Sequence, residues 1–131
     1  MNATLELDGI PVITQLEIAG TVPERMRGLL GREGLAAGQG FYIPTCGSVH
    51  TFGMRFAIDL IFVDRDWRVR RVVRNVGPHR AVWGGWGAAG VIEVASGWLT
   101  VPALVPGALL RLCQAPGSTP AVPVAGAGGR P

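Results

Sequence analysis

The chain has 131 residues, 48% of them hydrophobic and 16% charged, with 12 basic against 9 acidic residues and a net charge of +3. That composition places it as one globular domain and excludes a disordered or strongly charged chain. Every basic residue is Arg, so neither a Schiff-base lysine nor a P-loop lysine is available to it.

Residues 3–19 (ATLELDGIPVITQLEIA) read as a β-hairpin. Leu5 and Leu7 alternate with polar residues, Asp8-Gly9 is a strong turn signal, and Val12 to Ile18 continues as strand. TVPERMRGLLGREG follows and predicts a short helix over Glu24 to Leu30. Thr21 stands as N-cap with Glu24 three residues on, which is capping-box spacing. Met26, Leu29 and Leu30 share a face, so this helix must dock on a sheet to be stable.

GFYIP is a brief strand that leads into CGSVHTFGMRF. Phe56 to Asp64 is the most apolar run and predicts a central strand. Arg68 to Asn75 follows a turn at Asp64-Arg65-Asp66 and predicts its hairpin partner. Strict alternation would set Trp67, Val69, Arg71 and Val73 on one face, and Arg68, Arg70, Val72 and Arg74 on the other. Gly77 to Gly90 is a Gly/Trp-rich loop long enough to suggest function. GVIEVASG and ALLRLCQ are further strands, separated by a stretch that Pro102 and Pro106 keep from forming a long helix. The 20 glycines and 10 prolines suit such frequent turning. Residues 1–115 are thus expected to form one domain, and the Pro/Gly/Ala-rich residues 116–131 a disordered tail.

No segment approaches the roughly 18 consecutive apolar residues of a membrane span. The acidic N-terminal stretch lacks a basic signal region, so a cytoplasmic location is expected. Cys46 and Cys113 are too few for a disulfide framework and are read as thiols.

The succession ERMRGLLGREGL, GQGFYI, CGSVHTFGMRFAIDLIFVD, RVRRVV, VIEVASG and PGALLRL resembles the DUF192 family, also called UPF0127, over residues 3–114. The most specific part is the stretch from His50 to Phe62. The resemblance implies a mainly β fold, a compact antiparallel sandwich or barrel with one early helix, and no established activity. Ala108 stands where the family usually has Asp, and the two prolines before it are a further departure.

Four chemistries compete for the stretch from Cys46 to Arg55. Cys46 and His50 have C-x3-H spacing, and Met54 could join them around a soft metal. A zinc site would also need Cys113 and His79, which lack paired spacing, so no metal and no cofactor are expected. A Cys46/His50 nucleophile pair is the enzymatic alternative, with Asp59 or Glu93 orienting the base. In an extended chain those two side chains stand about 13 Å apart, at about 3.3 Å per residue. The structural reading has His50 and Thr51 satisfying backbone groups beside the central strand.

Asp59 and Glu93 interrupt apolar strands and are expected to be structural, Asp59 paired with Arg55 or with Arg25 or Arg27 of the helix. Six arginines between Arg65 and Arg80 read as a solvated, edge-protecting face, and nucleic acid is not the expected partner. The leading expectation is a non-catalytic module that binds a small molecule or a protein through His50, Thr51, Met54, Arg55, Trp83 and Trp86.

Overall fold

The computed structural model describes residues 2–21, 28–29 and 31–114. Among them are nine strands: β1 (Asn2–Leu7), β2 (Ile10–Ile18), β3 (Gln39–Pro44), β4 (Ser48–His50), β5 (Ile58–Val63), β6 (Val69–Val76), β7 (Ala81–Trp83), β8 (Gly90–Ala95) and β9 (Leu110–Gln114). Seven form one sheet in the order β6-β5-β8-β3-β2-β1-β9, and β4 and β7 form a separate ribbon. The fold is mainly β, as expected. All pairings are antiparallel except β2 with β3, which run parallel and so need the long crossover of residues 19–38.

The helix expected from the sequence falls within that crossover. Glu24 to Leu30 falls almost wholly outside the described residues; Gly28 and Leu29 sit in a turn, and no helix occurs among the described residues. The expected tail, residues 116–131, also lies outside them, as do Arg25 and Arg27. Among the described residues no helix is long and apolar enough to cross a membrane.

The first hairpin forms as its sequence dictates. Asp8 and Gly9 both take positive φ, 54° and 78°, the two-residue turn that matches strand twist. Ala3, Leu5 and Leu7 point inward on alternate positions. The sheet then curls until its edges meet. Arg68 bridges Leu109, and the Val69 N–H donates to the Ala108 carbonyl at 2.7 Å while the Leu110 N–H donates to the Trp67 carbonyl at 3.0 Å. This bridge ties the two edges at one corner, so the curled sheet is a half-barrel.

Two apolar clusters result. Leu5, Ile13, Leu16, Ile61, Ile92, Val94 and Leu110 fill the concave interior. Phe41, Ile43, Leu60, Phe62 and Val91 face outward and are covered by Met54, Val49, Val82 and Leu29. Strands β5 and β8 are therefore buried on both faces, which explains their nearly unbroken apolar sequences.

Strict alternation fails in β6. Phe62 pairs with Arg71 but Val63 with Val69, and Ile58 pairs with Val76 but Leu60 with Val73, so two bulges interrupt the ladder. Val69 and Val72 turn to the interior while Val73 and Val76 join the outer cluster. The second bulge holds Asn75 at φ 54°.

Candidate functional site

The β4–β7 ribbon carries most of the residues singled out from sequence. Its register sets Ser48 opposite Trp83, Val49 opposite Val82 and His50 opposite Ala81. Directly opposed residues share a face. Val49 and Val82 pack down on the outer cluster, so Ser48, His50, Ala81 and Trp83 face solvent.

Thr51 fastens this ribbon to the following loop. It is fully buried. Its hydroxyl donates to the Gly77 carbonyl at 2.7 Å and accepts from the Arg80 N–H at 2.9 Å. Its own N–H donates to the Arg80 carbonyl at 2.8 Å, and its carbonyl accepts from the His79 N–H at 3.2 Å. Met54 is also buried, 7% exposed, in the outer cluster. Thr51 and Met54 are thus buried, whereas His50, Arg55, Trp83 and Trp86 are exposed.

Two arginines of β6 hold the Trp loop from outside. Arg71 Nη1 donates to the Trp83 carbonyl, and Arg70 Nη2 donates to the Trp86 carbonyl at 3.1 Å. Trp83 and Trp86 meet edge to face with ring centroids 5.3 Å apart, an arrangement aromatic quadrupoles favour. The loop is pressed so closely on the core that Gly84 has no room for a side chain: a Cβ there would lie 2.3 Å from the Phe62 ring.

The surface also includes residues the sequence did not single out. Phe52 lies between two imidazoles, 5.9 Å from His50 and 6.1 Å from His79 between ring centroids. Phe52, Trp83 and Trp86 are 54%, 53% and 83% exposed. Residues 45–57 and 77–90, which build this face, contain four basic or imidazole residues in His50, Arg55, His79 and Arg80 and no Asp or Glu. The available signal was the placement of two aromatics and one His in each segment, but only the ribbon pairing brings the segments together.

Cys46 lies two residues before β4, half-buried, and its thiol donates to the Ser48 carbonyl at 2.9 Å. The His50 ring lies against Phe52. Among the described residues no three His, Cys, Asp or Glu side chains converge as a metal-binding group would require.

Asp59 is 1% exposed and lies away from the ribbon. Its partner is Arg74, not Arg55: Arg74 Nη1 reaches Asp59 Oδ2 at 3.0 Å. The reason is the second bulge of β6, which swings the Asn75 N–H onto Asp59 Oδ1 at 2.7 Å. The Gly97 N–H and the Ser96 hydroxyl complete the set, each at 3.2 Å. Burial pushes the carboxyl up, but the four donors outweigh it and hold it below the usual carboxylate range. Glu93, 2% exposed in the outer cluster, has the opposite fate. Its Oε1 has no hydrogen-bond partner among the described residues. Burial raises its carboxyl to about 7, only partly opposed by the charge of Arg32.

Residues 3–112 match the model of the DUF192 family, described as an uncharacterized ACR. No curated protein matches the chain. Two solved structures share its fold. One is a protein of unknown function from Novosphingobium aromaticivorans, 21% identical, with a TM-score of 0.72 over 85% of this chain and 84% of that one. The other is described as a putative transcription regulator from Sinorhizobium meliloti, also 21% identical, with a TM-score of 0.75 over 86% of this chain and 94% of that one.

Proposed function

We propose, for a chain that belongs to the DUF192 family, that it acts as a non-catalytic interaction module whose binding face is the outer surface of the β4–β7 ribbon. One observation carries the reading: Phe52, Trp83 and Trp86 are each more than half exposed on segments that hold four basic or imidazole residues and no carboxylate. Exposed aromatic clusters of this kind mark binding surfaces, and Trp and Arg are the side chains that most often anchor protein interfaces.

The partner is a protein with an acidic segment bearing apolar anchors. Two clefts among the described residues are lined by other side chains, and His50, Trp83 and Trp86 are exposed on the face itself. Its charge is complementary to carboxylates, which would speed association and tune specificity more than raw affinity. Arg70 and Arg71 serve by holding the Trp loop in shape before the partner arrives, which lowers the ordering cost of binding.

Photo-crosslinking in cells that produce the full chain tests the proposal. A benzophenone amino acid in place of Trp86 yields one discrete protein adduct. The same group in place of Glu33, an exposed residue of the crossover, yields none. Combining Arg55→Glu with Arg80→Glu abolishes the adduct. Equal labelling from both positions, or none from position 86, sinks the reading.

A further inference from the structure

A second site lies around Asp59, beside β6. Here a cleft of about 620 Å³ opens between β6 and the segment that follows β8. That volume is within the range of small-molecule sites. One wall is hydrocarbon, made by Val72, Val101, Pro102, Leu104, Val105 and Pro106. The other end is polar, with Arg74, Asn75, Ser96 and Thr100 around the buried Asp59.

The hydrogen-bond inventory of the polar end is unbalanced. Each Asp59 oxygen already accepts two bonds, Oδ1 from Asn75 and Ser96 and Oδ2 from Arg74 and Gly97. Arg74 Nη1 spends both its hydrogens, on Asp59 and on the Leu99 carbonyl at 2.6 Å. Its Nε and Nη2 carry three more N–H groups. No described residue accepts from them, and the side chain is 41% exposed in the cleft. The Asp59 oxygens are therefore engaged, with the Ser96 hydroxyl proton shared between Asp59 and Asn75, while the outer donors of Arg74 are left over. The guanidinium edge formed by Nε and Nη2 has the spacing of a carboxylate, and Asp59 and the Leu99 carbonyl hold it in one orientation.

We propose that this cleft binds a small carboxylate with an apolar chain or ring, its carboxylate on the outer edge of Arg74 and its hydrocarbon against the Val72–Val105 wall. Asp59 does not repel such a ligand strongly. It lies beneath Arg74, and four donors already face its charge. Arg74 is here a binding residue and Asp59 a positioning residue. The site is separate from the aromatic ribbon face and stands or falls independently of it.

Titration of the ¹⁵N-labelled full chain by NMR tests the proposal, with hexanoate, hexan-1-ol and hexylamine as probes. Hexanoate gives saturable shifts at Gly97, Thr100 and Val101, and binds roughly tenfold or more tighter than the alcohol, about the share of one charge-assisted hydrogen bond. Hexylamine does not saturate. Arg74→Gln abolishes hexanoate binding. Because that change also disturbs Asp59, Val105 provides a second arm: it is half exposed at the rim. Val105→Glu weakens hexanoate roughly tenfold through like charge, while Val105→Lys does not weaken it. The proposal is overturned if hexanoate fails to saturate, if the alcohol binds equally well, if both Val105 variants weaken binding alike, or if the shifts centre on Trp83 and Trp86.

Discussion

Asp59 and Glu93 stand on neighbouring strands, each the one carboxylate of a strand that is buried almost throughout, yet their fates are opposite. Asp59 Oδ1 and Oδ2 receive four donors, so its charged form is the stable one. Removing it would leave Arg74 and the Asn75 N–H without their acceptor. Asp59→Ala is expected to destabilise the domain by about 3–5 kcal/mol, the cost of breaking a buried pair, as read by chemical denaturation. Because its folded pKa is depressed, this stabilisation is present above the unfolded value near 3.8 and is lost as pH falls below it. Glu93 works the other way. An unfolded Glu titrates at 4.5, whereas in the fold its carboxyl titrates at about 7. The folded state therefore holds an extra proton between those values, and stability falls as pH rises from 4.5 through 7. The fall amounts to about 3 kcal/mol and ends above 7, where both states are ionised. Glu93→Gln should flatten the stability profile across that window; an unchanged slope in urea midpoints against pH would refute the assignment.

At the scale of the element, the β4–β7 ribbon is too short to stand alone, with three residues in each strand. Isolated two-stranded ribbons are at best marginal in water. It persists because Val49 and Val82 pack on the outer cluster and because Thr51 ties its end to Gly77, His79 and Arg80. Thr51→Val keeps the volume and the backbone bonds but strips the hydroxyl from the Gly77 carbonyl and the Arg80 N–H. The expected cost is about 1–3 kcal/mol, the penalty for leaving buried polar groups unpaired. The Arg80 amide should exchange with deuterium markedly faster than in the parent chain while amides of β5 keep their protection. Gly84 plays the complementary steric part, since any larger residue would push the Trp loop off Phe62 and spread Trp83 from Trp86.

Over the whole molecule, the seam between β6 and β9 decides whether the sheet is an open half-barrel or a closed one. Three backbone bonds cross it, from Val69 to Ala108, from Gly107 to Val69 and from Leu110 to Trp67. They pin only the start of β6, at Val69, and leave the Arg-rich remainder of its outer edge to be protected by charge. The amides of Val69 and Leu110 are therefore expected to exchange only through global unfolding, at the same free energy as the central amides of β5 and β8. Exchange at the much faster rate of a free edge would show the seam to be open in solution. The Asp59 cleft opens beside β6, while the aromatic ribbon forms a separate two-stranded sheet. One small domain thus offers two separate surfaces.

Local pattern was enough to place seven of the nine strands, but not β4 or β7, which lies in the stretch read as a loop. Asp8-Gly9 dictates a hairpin whatever lies around it, because both residues tolerate positive φ. The apolar run from Phe56 to Asp64 is too continuous for a half-exposed strand, and the motif order carried the family. The sites were less legible. Period-two counting along β6 failed at its two bulges, and the second of them hands Asp59 to Arg74 and Asn75 rather than to Arg55. His50, Trp83 and Trp86 were visible as residues, but Phe52 and His79 joined them only when a ribbon paired two segments about thirty residues apart. Turns and alternation depend on neighbours in the chain, whose geometry each residue sets by itself. The partner of a buried carboxylate, the burial of Thr51 and Met54, and the face on which an aromatic emerges depend on strand register across the sheet, which only the packed core enforces.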